Sequence, residues 1–114
     1  MDGATTDATA EIGARFFRGL AHPARVRILD LLIDGEKSVF ELTEHTGLAQ
    51  SRISTHLGCL RACGFVSARR DGRFVYYQVS DGRIRDLLHL AREVIAENAS
   101  RILACHVVAR EIGI

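Results

Sequence analysis

Cys59 and Cys63 stand four residues apart in the run HLGCLRACG. On a helix that spacing puts both side chains on one face, about 5 to 6 Å apart at Cβ, where two sulfurs can hold one soft cation. A third cysteine, Cys105, leaves the count odd. In a reducing compartment an odd count argues against a disulfide scaffold and for free thiols, metal ligation or redox chemistry. A competing reading is structural. Both cysteines fall beside an apolar stripe and next to His56, where a free cysteine serves as a small core residue.

The pair is positioned by the stretch Leu48 to Val66, LAQSRISTHLGCLRACGFV. Ile53, Leu57 and Leu60 recur at i, i+4 and i+7 and mark the buried face of an amphipathic helix, with Ser51, Ser54 and Thr55 opposite. Upstream, Ser38 and Glu41 form a capping box that opens a short helix, SVFELTEHTG, which Gly47 ends. Two short helices around a glycine turn predict a helix-turn-helix. Its second helix enters the major groove, and Gln50, Ser51, Arg52, Ser54, Thr55 and His56 suit contact with base edges and phosphates. The alternative is the solvated face of an ordinary helical protein. Two β-rich runs follow, Val66-Ser67-Ala68-Arg69-Arg70 and Arg73 to Val79, and Asp71-Gly72 between them signals a hairpin. With Arg69, Arg70 and Arg73 around its tip, this hairpin reads as a wing for the phosphate backbone or the adjacent minor groove. The expected fold is mainly α with a small β-hairpin wing, a winged helix-turn-helix.

The remaining chain supports these elements. Residues 1–7 read as a loose arm. From about Ala8, Ile12, Phe16 and Leu20 repeat every four residues with Phe17 beside them. His22-Pro23 restarts the chain into a heavily buried helix carrying Val26, Ile28, Leu29, Leu31 and Leu32 and ending near Asp34-Gly35. Arg25 and Arg27 on it are read as solvated or ion-paired rather than as DNA contacts. Ser80-Asp81 caps a last long helix whose stripe is Ile84, Leu87, Leu88, Ala91, Val94, Ile95, Asn98 and Ile102. One domain, 8–106, cannot cover that stripe, so a two-fold homodimer is expected, its two recognition helices meeting successive major grooves of double-stranded operator DNA. Residues 107–114 read as a tail.

The runs AHPARVRILDLL, SRISTHLGCLRACGFV and GRFVYYQV resemble the ArsR/SmtB family of dimeric winged-helix repressors, over roughly Phe16 to Val79. HLGCLRACG followed far downstream by a lone cysteine resembles that family's cadmium- and lead-sensing branch. The resemblance implies that operator DNA is released when metal binds. It also implies that Cys105 supplies a third thiolate, from the other protomer. Three thiolates suit Cd(II) and Pb(II), and Zn(II) where a fourth ligand is found. His106 is the candidate fourth donor, or a tail residue with no role. The family's other sensor sites are not matched. Val39 and Phe40 stand where one uses cysteines. In the site on the last helix, Asp81 and Glu97 persist but Arg83 and Val94 replace the middle ligands, leaving His89 as an ordinary helical residue.

Composition bounds the rest. Net charge is only +1 across 114 residues, so DNA affinity has to come from locally clustered arginine. Asp30 and Asp34 interrupt the longest apolar run and the start is polar and acidic, so the expectation is a cytoplasmic protein with no membrane span. An enzyme is not expected, because Cys-x-x-x-Cys inside a helix lacks the exposed Cys-x-x-Cys arrangement that lowers thiol pKa, and no phosphate loop appears. Within the same fold, the alternatives are a repressor answering thiol oxidation or As(III), and a winged-helix regulator with structural cysteines.

Overall fold

A proline-led apolar run and a capped one make the centre of the fold. In the computed structural model, which describes residues 7–105, the order is α1 (Asp7–Leu20), α2 (Pro23–Ile33), β1 (Lys37–Ser38), α3 (Val39–Thr46), α4 (Gln50–Ala62), β2 (Val66–Asp71), β3 (Phe74–Val79) and α5 (Gly82–Ala104). Asp7, expected in the arm, opens α1. Residues 1–6 of that arm, His106 and the 107–114 tail lie outside the described residues.

Local chemistry sets the helix ends. Pro23 starts α2 with its φ already helical, and His22 caps it by accepting the Ala24 N–H on Nδ1 at 3.1 Å. The Ser38–Glu41 box is formed in both directions, at 2.9 and 3.1 Å, and Gly47 ends α3 at φ 73°. α2, α3 and α4 then pack together, and Ile28, Leu29, Leu32, Leu42, Ile53, Leu57, Leu60, Phe65, Val66 and Val79 form the core.

Arg25 and Arg27 are neither simply solvated nor ion-paired. Arg25 donates to the Gly19 carbonyl at the end of α1, and Arg27 to the Thr46 and His45 carbonyls at the end of α3. Arg85 does the same for Ile33 at the end of α2. Each guanidinium meets carbonyls that a helix end leaves unpaired, where the dipole also favours positive charge.

The wing differs from a plain hairpin. β1 pairs with β3 through Lys37↔Tyr77 and Ser38↔Tyr76, giving an antiparallel sheet of order β1-β3-β2. Asp71 still pairs with Phe74, so the loop is Gly72-Arg73 rather than Asp71-Gly72. Gly72, at φ 62°, takes the first central position of the turn, and Arg73 keeps a negative φ, as a type II′ turn requires.

α1 and α5 hold no fully buried residue. Ile12, Phe17, Leu90, Val94, Ile95, Ile102 and Leu103 are exposed on them, and Val26, expected in the core, is 42% exposed on α2. Val26 lines an apolar groove with Leu20, Leu29, Leu88, Ala91 and Ile95, between α2 and α5.

Urea unfolding of two variants tests the core and the cap separately. Leu57→Ala, at a fully buried site, should lower stability by about 2 to 5 kcal/mol. Ser38→Ala should lower it by about 1 kcal/mol, the usual worth of an N-cap. A smaller loss at Leu57 than at Ser38 would contradict the placement of the core.

Candidate nucleic-acid interface and thiol pair

α4 presents three different surfaces because its core stripe fixes its rotation. With Ile53, Leu57 and Leu60 turned inward at 0% exposure, Gln50, Ser51, Arg52, Ser54 and Thr55 are exposed along the first two turns, and His56 is half-buried. The Thr55 hydroxyl donates to the Ser51 carbonyl at 2.9 Å, so its proton is committed. Arg52 and Ser51 make no side-chain hydrogen bond to another described residue.

The wing arginines fall into two kinds. Arg69 makes a bidentate pair with Glu36, Nε to Oε2 at 3.2 Å and Nη2 to Oε1, and lies over the Tyr76 ring at 4.9 Å. The hydrogen bond from Arg69, supported by its charge, holds the Glu36 carboxyl below its usual range. Arg69 thereby ties the wing to the segment before β1, and its charge is partly compensated. Arg70 and Arg73 are exposed and make no ion pair with another described residue.

At the other end of α4 the chain closes in a Schellman motif. Phe65 N–H donates to the Leu60 carbonyl at 2.9 Å and Gly64 N–H to that of Arg61 at 3.0 Å, with Gly64 at φ 83°. The turn sends Phe65 into the core and leaves Cys63 as the C-cap, its N–H donating to the Cys59 carbonyl at 3.0 Å. α1 docks here. Phe16 packs on Phe65 with ring centroids 4.9 Å apart. A Cβ at Gly19 would sit 3.1 Å from the Phe65 ring, a tight contact that the ring would have to relieve, and 3.5 Å from Cys63 Sγ, an ordinary van der Waals contact, so α1 passes directly beside the thiol.

Cys59 and Cys63 are both exposed, which removes the core reading of the pair. Cys105, half-buried, is the C-cap of α5. Among the described residues of the single chain, no three His, Cys, Asp or Glu side chains gather into a metal-sized group, so Cys105 does not join the pair within one chain.

Sequence reasoning missed His22. Its ring lies 4.4 Å from that of His56, and the two line a recess of about 330 Å³ with Ser51, Arg52 and Thr55. Burial first, and then the neighbouring His22, Arg25 and Arg52, push the His56 imidazole below its ordinary pKa. The only sequence signal was the His-Pro cap of α2, which says nothing of a partner on another helix.

Comparison with known proteins matches this architecture. The model of the arsR family of bacterial regulatory proteins covers residues 22–68. A probable mercury resistance operon repressor from Streptomyces lividans is 49% identical over 92 residues, spanning 81% of this chain and 74% of the relative. The crystal structure of Rv0081 from M. tuberculosis superposes with a TM-score of 0.79 at 43% identity, covering 87% of this chain and all of that one. The homodimeric winged helix-turn-helix DNA-binding domain of Mb0332 from Mycobacterium bovis gives a TM-score of 0.72 at 33% identity, over 86% of this chain and 92% of that one. Among the described residues no helix is long and apolar enough to cross a membrane. The chain belongs to the arsR family of bacterial regulatory proteins and is a winged helix-turn-helix transcriptional regulator, not an enzyme.

Proposed function

We propose that this regulator is a homodimeric repressor that leaves its operator when a soft metal ion is held by Cys59, Cys63 and Cys105. The observation that carries the reading is the exposure of two thiols in the C-terminal half of the helix whose N-terminal turns would read DNA. DNA contact falls to Gln50, Ser51, Arg52, Ser54, Thr55 and His56 in the groove and to Arg70 and Arg73 on the backbone, with Arg69 bracing the wing.

The exposed apolar faces of α1 and α5 support the dimer, since a second copy would cover them. Cys105 caps α5, the helix that such an interface would contain, and the family resemblance assigns its thiolate to the partner's site. The donor set is all sulfur at its centre and fits soft ions, Cd(II) or Pb(II) foremost, and Zn(II) if a fourth donor such as His106 joins. Cys59 and Cys63 at the end of the recognition helix and Cys105 at the end of the partner's α5 would hold the ion, which would supply Lewis-acid bonding to thiolate sulfur. The chain's own part is to keep α4 rigid, so that a displacement at Cys59 and Cys63 moves Ser51 and Ser54 as one body. The effect is bounded by the difference in metal affinity between free and DNA-bound protein.

A second reading changes only the ion. Hg(II) is also thiophilic, and the Streptomyces relative is named for mercury resistance.

Titration of reduced protein with Cd(II), Pb(II), Hg(II) and Zn(II), followed by thiolate-to-metal charge-transfer absorption and DNA-binding anisotropy, tests both. The effector should weaken operator binding roughly 5- to 150-fold, the usual range of allosteric coupling. Cys59→Ser or Cys63→Ser should abolish tight metal binding and leave apo DNA binding nearly intact. Cys105→Ser should keep weak binding and lose most of the release; release as complete as in the wild type would remove Cys105 from the switch. On the DNA side, Arg70→Ala or Arg73→Ala should lower affinity for all sequences and flatten the salt slope by about one unit. Ser54→Ala should alter sequence preference instead. Equal loss of specificity from both kinds of substitution would contradict the division between groove and backbone.

A further inference from the structure

The recess between the start of α2 and the first two turns of α4 is built from donors that the DNA reading does not fully use. His22 accepts the Ala24 N–H on Nδ1, so its ring proton sits on Nε2 and remains free to donate. Arg52 and Ser51 have no side-chain hydrogen bond to another described residue. α4 begins at Gln50 with no side-chain cap from Ala49, so its opening N–H groups and the positive end of its dipole share a turn with Ser51 and Arg52. Among the described residues no carboxylate lines the recess. The charged and titratable groups facing His56 are His22 at the cap of α2, Arg25 on α2 and Arg52 on α4, none of them a carboxylate. Arg25 adds an Nε that is buried without a hydrogen-bond partner.

We propose that this recess seats one phosphate of the DNA backbone, held by His22 Nε2, Arg52 and Ser51, and that His56 takes up a proton from solvent as the phosphate enters. Alone, the cluster holds no anion, and burial first, then the neighbouring His22 ring and the Arg25 and Arg52 guanidinium groups, disfavours the charged form of His56. An anion in the recess reverses the sign of that environment and favours the imidazolium, which then donates to it. DNA binding is therefore linked to proton uptake, and affinity rises as pH falls through the range between the free and DNA-bound His56 midpoints. The proposal rests on the DNA-binding reading and adds to it a residue from α2 and a pH dependence.

The test uses the metal-free full chain and a random-sequence duplex at constant ionic strength, from about pH 8 to pH 6, a range bracketing the ordinary histidine midpoint. Affinity should rise by up to about tenfold per pH unit, the limit for one linked proton. His56→Gln should flatten the slope. His22→Asn, which keeps a good N-cap, should weaken binding and reduce the slope. On unaltered protein, the NMR titration midpoint of His56 should lie low alone and rise when duplex is added. Tight, salt-dependent binding with no pH slope and an unmoved His56 midpoint would overturn the proposal and leave the repressor reading intact. Absence of duplex binding at every pH would overturn the reading beneath it. A midpoint that moves with inorganic phosphate but not with duplex would assign the recess to free anions and overturn the DNA assignment.

Discussion

The insertion of Ile53, Leu57 and Leu60 between α2, α3 and Phe65 is the constraint on which the rest depends. These side chains are fully buried, and together they leave α4 no freedom to rotate about its axis. Because successive residues on a helix are separated by a fixed angle, fixing one face fixes them all. The polar N-terminal turns and the two cysteines are exposed for the same reason that the leucines are hidden. A one-residue slip of the stripe towards the N-terminus would put Arg52, His56 and Cys59 where Ile53, Leu57 and Leu60 are buried.

Around that helix, charge is used locally. A net charge of +1 gives little long-range field, and the basic groups are divided between bracing and display. Arg25, Arg27 and Arg85 close helix ends, and Arg69 is clamped by Glu36 at the root of the wing. Arg52, Arg70 and Arg73 stay uncommitted, and they lie on the two elements that a winged helix turns toward DNA.

Features written in short-range sequence were legible: the Ser38–Glu41 box, the Gly47 stop, the Ile53 stripe and the Asp81 cap, where the side chain accepts from Arg83 and Ile84 N–H. Features that depend on partners distant in sequence were not. β1 is two residues long and exists only through its pairing with Tyr76 and Tyr77, so no periodicity could announce it. The hairpin moved by one residue because register was decided by Asp71 pairing with Phe74, not by the Asp-Gly signal. The His22–His56 contact and the Arg69–Glu36 clamp join residues that carry no local mark of each other. The thiol pair was visible as a spacing, whereas its exposure followed from the rotation of α4 that the buried Ile53, Leu57 and Leu60 impose. Val26 was read as core because its helix is apolar on several sides, and no single-chain pattern separates a core face from one left for a partner.

The central claim is that one metal site spans two protomers, joining the end of a recognition helix to the end of its partner's α5. A mixed dimer tests it most directly, pairing a chain that carries Cys59→Ser and Cys63→Ser with a chain that carries Cys105→Ser. Neither homodimer can assemble three thiolates. The heterodimer restores one complete site if the site crosses the interface, so Cd(II) should produce charge-transfer absorption at half the wild-type intensity per dimer. Absorption per dimer no greater than the mean of the two mutant homodimers would contradict a shared site.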